Sequence, residues 1–325
     1  FLYSSGDFPG TAKLDGNTVQ AAATANLAVN SLNASAGTQI LNMGSETTTS
    51  IGVPISAATA GLALQNTQSG SAPVTATVNN VAVLTSLGTL NGTAGVNNNT
   101  VLAQSRGQAA QNSLALNAGT TLNASASLVN SQINAGPVGS SITGVGVGLT
   151  AGSVTGASSV GNNTVQASGT ANLAINSMDI TGGTLAAATG GSTGALTATA
   201  DYVALNHQNN LGDVSTSVNG AAIALANSST SGSASVLNNA ILADATGNSA
   251  INRITLSTPG TATADVAFNG FQNNIGASVS SSISGASISL STTGVGSFRT
   301  SGNRIGATAT GNASVSSIST RSSGL

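Results

Sequence analysis

The chain has 325 residues, with 41 Gly, no Cys, no Trp, two Tyr, five Phe and one His, and its six basic and eight acidic side chains leave a net charge of -2. Against about 25% charged residues in an ordinary soluble domain, the 4% here excludes a basic nucleic-acid surface, and the lack of Cys excludes a disulfide-stapled scaffold. Every apolar run is broken by Ser, Thr, Asn or Gly well before the about 18 residues of a membrane span, while a mean hydropathy of +0.23 at low net charge predicts folding rather than disorder.

Residues 1–16 precede any repeat and hold Phe1, Tyr3 and Phe8 ahead of Pro9-Gly10. They are expected as an arm that adds to a neighbouring subunit, with a frayed terminus or an intramolecular cap as the alternative. A start at Phe1 without a basic n-region implies an export signal already removed or a trimmed chain.

From Asn17 a 16-residue block, here called A, recurs without a gap: NTVQAAATANLAVNSL, then NTVLAQSRGQAAQNSL from Asn99, NTVQASGTANLAINSM from Asn163, NAILADATGNSAINRI from Asn239 and NRIGATATGNASVSSI from Asn303. Val19, Ala21, Ala23 and Ala25, and likewise Val165, Ala167, Gly169 and Ala171, alternate with polar or small residues, which is the period of a strand. Asn26, Asn30, Asn172, Asn176, Asn248 and Asn252 return at fixed block positions. Asn is disfavoured inside helices and strands, so its return predicts either turns or amide ladders between stacked copies.

A looser B block lies between successive A blocks. Gln68 is followed by Val74, Val78 and Val83, Gln132 by Val138, Ile142 and Val147, Gln208 by Val214, Val218 and Ile223, and Gln272, with one residue inserted, by Val279, Ile283 and Ile288. Segments 35–60 and 182–197 absorb the length differences and are expected as surface loops. Residues 17–325 therefore form a single repeat domain, all-β and most simply a β-solenoid of alternating A and B blocks with a thin core of small side chains. A tandem β-sandwich is the alternative architecture.

Stretches such as SLALNAGTTLNASASLVNSQINAG from Ser113 and ITGGTLAAATGGSTGALTATA from Ile180 resemble the repeats of bacterial surface β-solenoids of the filamentous-haemagglutinin and autotransporter-passenger type. The A block, with Gln20, Asn26 and Ala28, is similar more distantly to the Gln/Asn ladders of curlin repeats, which are shorter. The resemblance implies an exported, extracellular structural or adhesive protein and transfers no catalytic residue.

Chemistry is sparse. Gly190-Gly191-Ser192-Thr193-Gly194 matches GxSxG and His207 follows it, but a nucleophile elbow needs a strand, a sharp turn and a helix around it, which a Gly-rich spacer does not predict. Asp201, His207 and Asp213 share one face of an extended strand at roughly 20 Å separation, too far for a triad. Asp213 and Asp244 sit in single oxygen-rich turns and are the calcium candidates; no GGxGxD repeat or P-loop occurs, and no cofactor is expected. Seven N-x-S/T sequons begin at Asn33, Asn91, Asn98, Asn123, Asn162, Asn227 and Asn312.

The ends differ in charge. Asp7, Asp15 and Glu46 outweigh Lys13 near the start, while Arg299, Arg304 and Arg321 are half of all basic residues. Because bare solenoid edges recruit other chains, Phe1, Tyr3, Phe8, Phe268, Phe271, Phe298, Arg299 and Arg304 are the predicted subunit interface. The expected function is a non-enzymatic subunit of an extracellular bacterial filament, assembling head to tail for matrix, biofilm or attachment, with other copies of itself as partner and matrix or polysaccharide as a further one. The alternative is a monomeric surface adhesin that binds its ligand through 35–60 or 182–197.

Overall fold

The computed structural model describes residues 1–40, 57–185, 190–193 and 198–322. The first turn of chain holds β1 (Leu2–Phe8), β2 (Thr11–Lys13), β3 (Thr18–Ala36) and the short β4 (Gln39–Ile40). After β5 (Ala57–Thr59), the second runs β6 (Leu62–Gly70), β7 (Val74–Asn79), β8 (Ala82–Leu90), β9 (Thr93–Asn97) and β10 (Thr100–Asn123). The third repeats that order as β11 (Ala126–Asn134), β12 (Val138–Thr143), β13 (Gly146–Val154), β14 (Ala157–Gly161) and β15 (Thr164–Leu185). Then β16 (Gly190–Thr193) and β17 (Ala198–Ala200) precede the fourth: β18 (Tyr202–Asn210), β19 (Val214–Asn219), β20 (Ala222–Thr230), β21 (Ser233–Leu237) and β22 (Ala240–Thr258). The fifth is β23 (Val266–Asn274), β24 (Val279–Ser284), β25 (Ser287–Ser291), β26 (Ser297–Ser301) and β27 (Arg304–Ser322).

Equivalent strands stack side by side into five parallel sheets. Sheet I is β1-β8-β13-β20-β25, sheet II is β2-β9-β14-β21-β26, sheet III is β3-β10-β15-β22-β27, sheet IV is β6-β11-β18-β23 and sheet V is β7-β12-β19-β24. The A blocks are the strands of sheet III, in unbroken register from Val19 through Val101, Val165 and Ile241 to Ile305. Sheets IV and V carry the B blocks, which continue into sheet I, and the fold is the β-solenoid expected from the repeats. Both long insertions fall at the same place, between sheets III and IV, so the register is kept although the repeat spacing varies from 64 to 82 residues.

The alternation inside each A block inverts half-way. In β10, Val101, Ala103 and Ser105 point inward, then Gln108, Ala110, Asn112, Leu114 and Leu116 do so. Pairing passes over Gly107 and its equivalents Ala25, Ala171, Gly247 and Gly311, where one extra residue bends the strand as a bulge does. The first half packs with sheets I, II and V around Val83, Val147, Ile142 and Val160, and the second half with sheet IV around Leu114, Met178, Leu128 and Tyr202.

Between these two apolar lobes runs a polar seam. Asn30, Asn112, Asn176 and Asn252 form a ladder in sheet III at 2.8–2.9 Å, and Asn66, Asn130 and Asn206 form the facing one at 2.7–2.8 Å. Asn112 Nδ2 also donates across the seam to Asn130 Oδ1 at 3.1 Å. Of the two predicted roles for the recurring Asn residues, the ladder is the one these positions fill. Turn duty falls to other Asn residues: Asn98, Asn162 and Asn238 hold φ of 57°, 55° and 54° in one corner column that Gly16 and Gly302 complete, a conformation only Gly and Asn tolerate readily.

Candidate assembly surfaces

The solenoid ends are defined by ladders that run out of partners. At the first block position, the backbone N–H and Nδ2 of Asn17 both donate to Asn99 Oδ1, and the same pair of bonds joins Asn99 to Asn163, Asn163 to Asn239 and Asn239 to Asn303, all at 2.8–3.1 Å. Because a backbone N–H can only donate, each acceptor must be the amide oxygen, so the ladder has a fixed direction. Among the described residues, Asn17 Oδ1 receives no donor, and the Asn303 N–H finds no acceptor while its Nδ2 reaches only Val236 O at 2.9 Å. The Gln68, Gln132, Gln208 and Gln272 ladder of sheet IV runs the opposite way at 2.6–2.8 Å, and among the described residues Gln272 Oε1 receives no donor.

Side chains that are sealed in the middle of the rod open at its last turn. Ile305 is 46% and Ile318 52% exposed, where their equivalents Ile241 and Ile254 are 0% and 1%. The predicted interface residues divide between the two ends. Phe1 and Tyr3 are exposed and stack at 6.5 Å, and Phe8 packs on the first core lobe. Residues 1–16, expected as an arm, lie on their own chain as the first layer of sheets I and II, β1 along β8 and β2 along β9. At the far end, Phe268 packs on the second lobe, Phe271 and Phe298 are partly exposed, and Arg299 and Arg304 lie on β26 and β27.

A comparison with family models, with curated proteins and with solved structures finds no match.

The residues with candidate chemistry are not brought together. Gly190–Thr193 is a strand, antiparallel to β5 and β17, so the GxSxG segment does not form a strand-turn-helix elbow; Gly194 lies outside the described residues. Asp201 precedes β18, His207 lies in it and Asp213 follows it. Asp201 Oδ2 accepts the Asp265 N–H and Asp213 Oδ1 accepts the Ser278 N–H at 2.7 Å, whereas Asp244, on β22, accepts Gln166 Nε2 at 2.8 Å. Of the two calcium candidates, Asp213 lies between β18 and β19 whereas Asp244, expected in a turn, stands within β22, and each is bonded to a neighbouring coil. Among the described residues there is no group of three acidic, His or Cys side chains and no helix long and apolar enough to cross a membrane.

The small sheet of β5, β16 and β17 draws both predicted loops to one flank. Against the outer face of sheet IV, Val129, Val203 and Leu205 are buried with Ala63, Ala200 and Ala267 packed on them. The rest of 41–56, 186–189 and 194–197 lies outside the described residues. Sequence reasoning missed this cover, although the unbroken hydrophobicity of Tyr202-Val203-Ala204-Leu205 is the pattern of a strand buried on both faces.

His207 sits on this flank, 9% exposed, its Nδ1 without a hydrogen-bond partner and its ring 5.3 Å from that of Phe271. Burial lowers its pKa below the ordinary value of 6.5. The neutral form is therefore favoured by folding, so the stability this site contributes is complete above pH 6.5 and falls as the pH drops from there toward the folded pKa. Denaturation of wild type and His207→Gln between pH 7.5 and 4.5 should show wild type losing stability relative to the variant on the acid side; parallel curves would refute the assignment.

Proposed function

We propose that the chain is a non-enzymatic structural subunit of an extracellular bacterial filament or fibre that grows by end-to-end addition of copies, serving matrix, biofilm or attachment. The observation that carries this reading is that both terminal layers are open: among the described residues nothing covers the outer edges of β1–β3 or of β25–β27, and side chains sealed elsewhere are half exposed there. Such edges recruit strands, and a head-to-tail contact that does not close makes a filament. The near absence of charge supports it too, since Ser, Thr and Asn surfaces associate without the large desolvation cost of ions. An exported, surface location agrees with the resemblance to bacterial surface solenoids. A second reading, the adhesin, draws on the pairing of β5, from the first long insertion, with β16, from the second, on one flank.

Negative-stain electron microscopy and sedimentation test the choice. The full chain should give uniform filaments, and a chain lacking residues 1–12 should not, because sheets I and II then lack their first layer. Isolated short rods from the full chain would overturn the filament and favour the adhesin; normal filaments from the truncated chain would remove the first segment from the joint.

A further inference from the structure

The five sheets are not equally deep. Sheets I, II and III have five layers each, sheets IV and V four, because the described chain enters on sheet I at β1 and leaves on sheet III at β27. Stacking one copy on another in register therefore completes three sheets and leaves the other two one strand short. Resting on the filament reading, we infer that copies join in a single register, β25, β26 and β27 of one copy against β1, β2 and β3 of the next, around a hydrated one-strand notch above β23 and β24.

Three observations converge on this joint. The first is ladder chemistry. Asn303 ends its ladder with donors and Asn17 begins it with an acceptor, so the register supplies the missing bond. In the second ladder Asn26, Asn172 and Asn248 each give one Nδ2 proton to a sheet IV carbonyl and one to the next layer. Asn312 has used only the first, on Gln272 O, and among the described residues Asn26 Oδ1 receives nothing. Head-to-head contact would set acceptor against acceptor.

Shape is the second. Continuing the columns places Phe298, whose column is Ala12, Ala94, Ser158 and Ala234, over the small Ala12 of the next copy, and Leu290 over Leu2. The third is the residue pattern of β27. Its first half keeps apolar inward residues, Ile305, Ala307 and Ala309, where the joint closes over them. Its second half faces the notch, and there Ser314, Ser316 and Thr320 stand in the columns that hold Ala250, Asn252 and Leu256 one layer earlier. A surface meant for water carries hydroxyls, and in the inward columns of this half only Ile318, in the column of Ile254, keeps an apolar side chain. The register also sets Arg299 against Lys13, an exposed like-charge pair with Asp15 two residues on.

The lack of native Cys allows a direct test. Ala22 and Thr308 point outward in the same column of sheet III, so across the joint their Cα atoms would be about 4.8 Å apart, within disulfide range. The variant Ala22→Cys/Thr308→Cys should give a covalent ladder of multimers under mild oxidation. Ala22→Cys/Thr310→Cys, offset to about 8 Å, should not. In fibres Ala307→Cys should react with maleimide at least tenfold more slowly than in free subunits, while Ser316→Cys, with Asn30 of the next copy in its column but the notch open beside it, should be slowed far less.

A ladder from the offset pair, or from Gln104→Cys/Thr308→Cys, would overturn the register; the last would mean that the next copy sheds β1–β3 and fills the notch with β6 and β7. Protection of Ser316→Cys equal to that of Ala307→Cys would overturn the open notch. Filaments in which no pair cross-links refute the joint but leave the filament standing. Absence of filaments from unsubstituted protein refutes the filament itself.

Discussion

Gly156→Ala is expected to be among the most damaging single-atom additions to this chain, lowering stability by about 3 kcal/mol or more. Gly156 belongs to a column with Gly10, Gly92, Gly232 and Gly296 at the corner between sheets I and II. A Cβ built on Gly156 would meet the carbonyl oxygens of Gly92 and Asn91 in the layer before it, and one on Gly232 would meet those of Gly156 and Thr155. The Gly92 carbonyl is already committed, accepting the Ala157 N–H at 3.0 Å. Since both partners are backbone, no side-chain rotation relieves the contact; the layers must separate, loosening the pairing of β13 with β8 and β14 with β9. Urea denaturation and limited proteolysis would check this, with Gly6→Ala, which has nothing within 4 Å of its built Cβ, as the control expected to unfold like wild type. Equal midpoints for Gly156→Ala and wild type would refute the close-approach argument.

That column was not legible in the sequence, where 41 Gly hide the few that matter. What repeats with a side chain was legible. The A blocks were found because Asn, Val and Ala return together, and the Gln-pinned B blocks because branched residues follow at fixed distances; each maps onto a column whose members touch. A column satisfied by the absence of a side chain leaves a weaker trace, since Gly also serves loops and left-handed corners. Gly144, Gly220 and Gly285, for example, share their corner with Asn80 at φ of 53° to 65°.

The strand period was legible but its inversion was not. Every position from Val101 to Asn112 fits an extended strand, and nothing local announces that Gly107 is passed over. The burial partners on either side decide it, sheet V before the bend and sheet IV after it, and these are distant in sequence. The same holds for His207. Read alone, it is a surface or amide-bonded residue; what it meets is the ring of Phe271, in the next layer of sheet IV and distant in sequence. At the ends, sequence revealed the polarity of charge. The unequal depth of the sheets was already implicit in five A blocks against four B blocks, although its consequence needs the order in which the chain visits the sheets.

Repairing a broken ladder should stabilise the rod. The column of Asn26, Asn172, Asn248 and Asn312 contains one exception, Gln108, which is fully buried. Asn26 Nδ2 reaches Gln108 Oε1 at 2.7 Å, but Gln108 Nε2 and Asn172 Oδ1 are both buried without a partner, so the ladder is interrupted between β10 and β15. The cause lies in the neighbouring column, where Asn134, Asn210 and Asn274 are matched by Gly70. The extra methylene of Gln108 carries its amide into the room that Gly70 leaves, and a Cβ on Gly70 would come within 2.5 Å of Gln108 Nε2. Gln108→Asn returns the amide to the ladder and relieves two orphaned groups, each costing about 1–3 kcal/mol; set against a small void beside Gly70, the net gain is about 1–2 kcal/mol. Gly70→Asn alone forces two amides into one space and should destabilise by a similar amount. Together they restore the pattern of the other coils, so the double variant should exceed wild type by more than the sum of the single effects. A double-mutant cycle from denaturation midpoints measures that coupling, and additive effects, or a less stable Gln108→Asn, would show that the two columns do not share one packing decision.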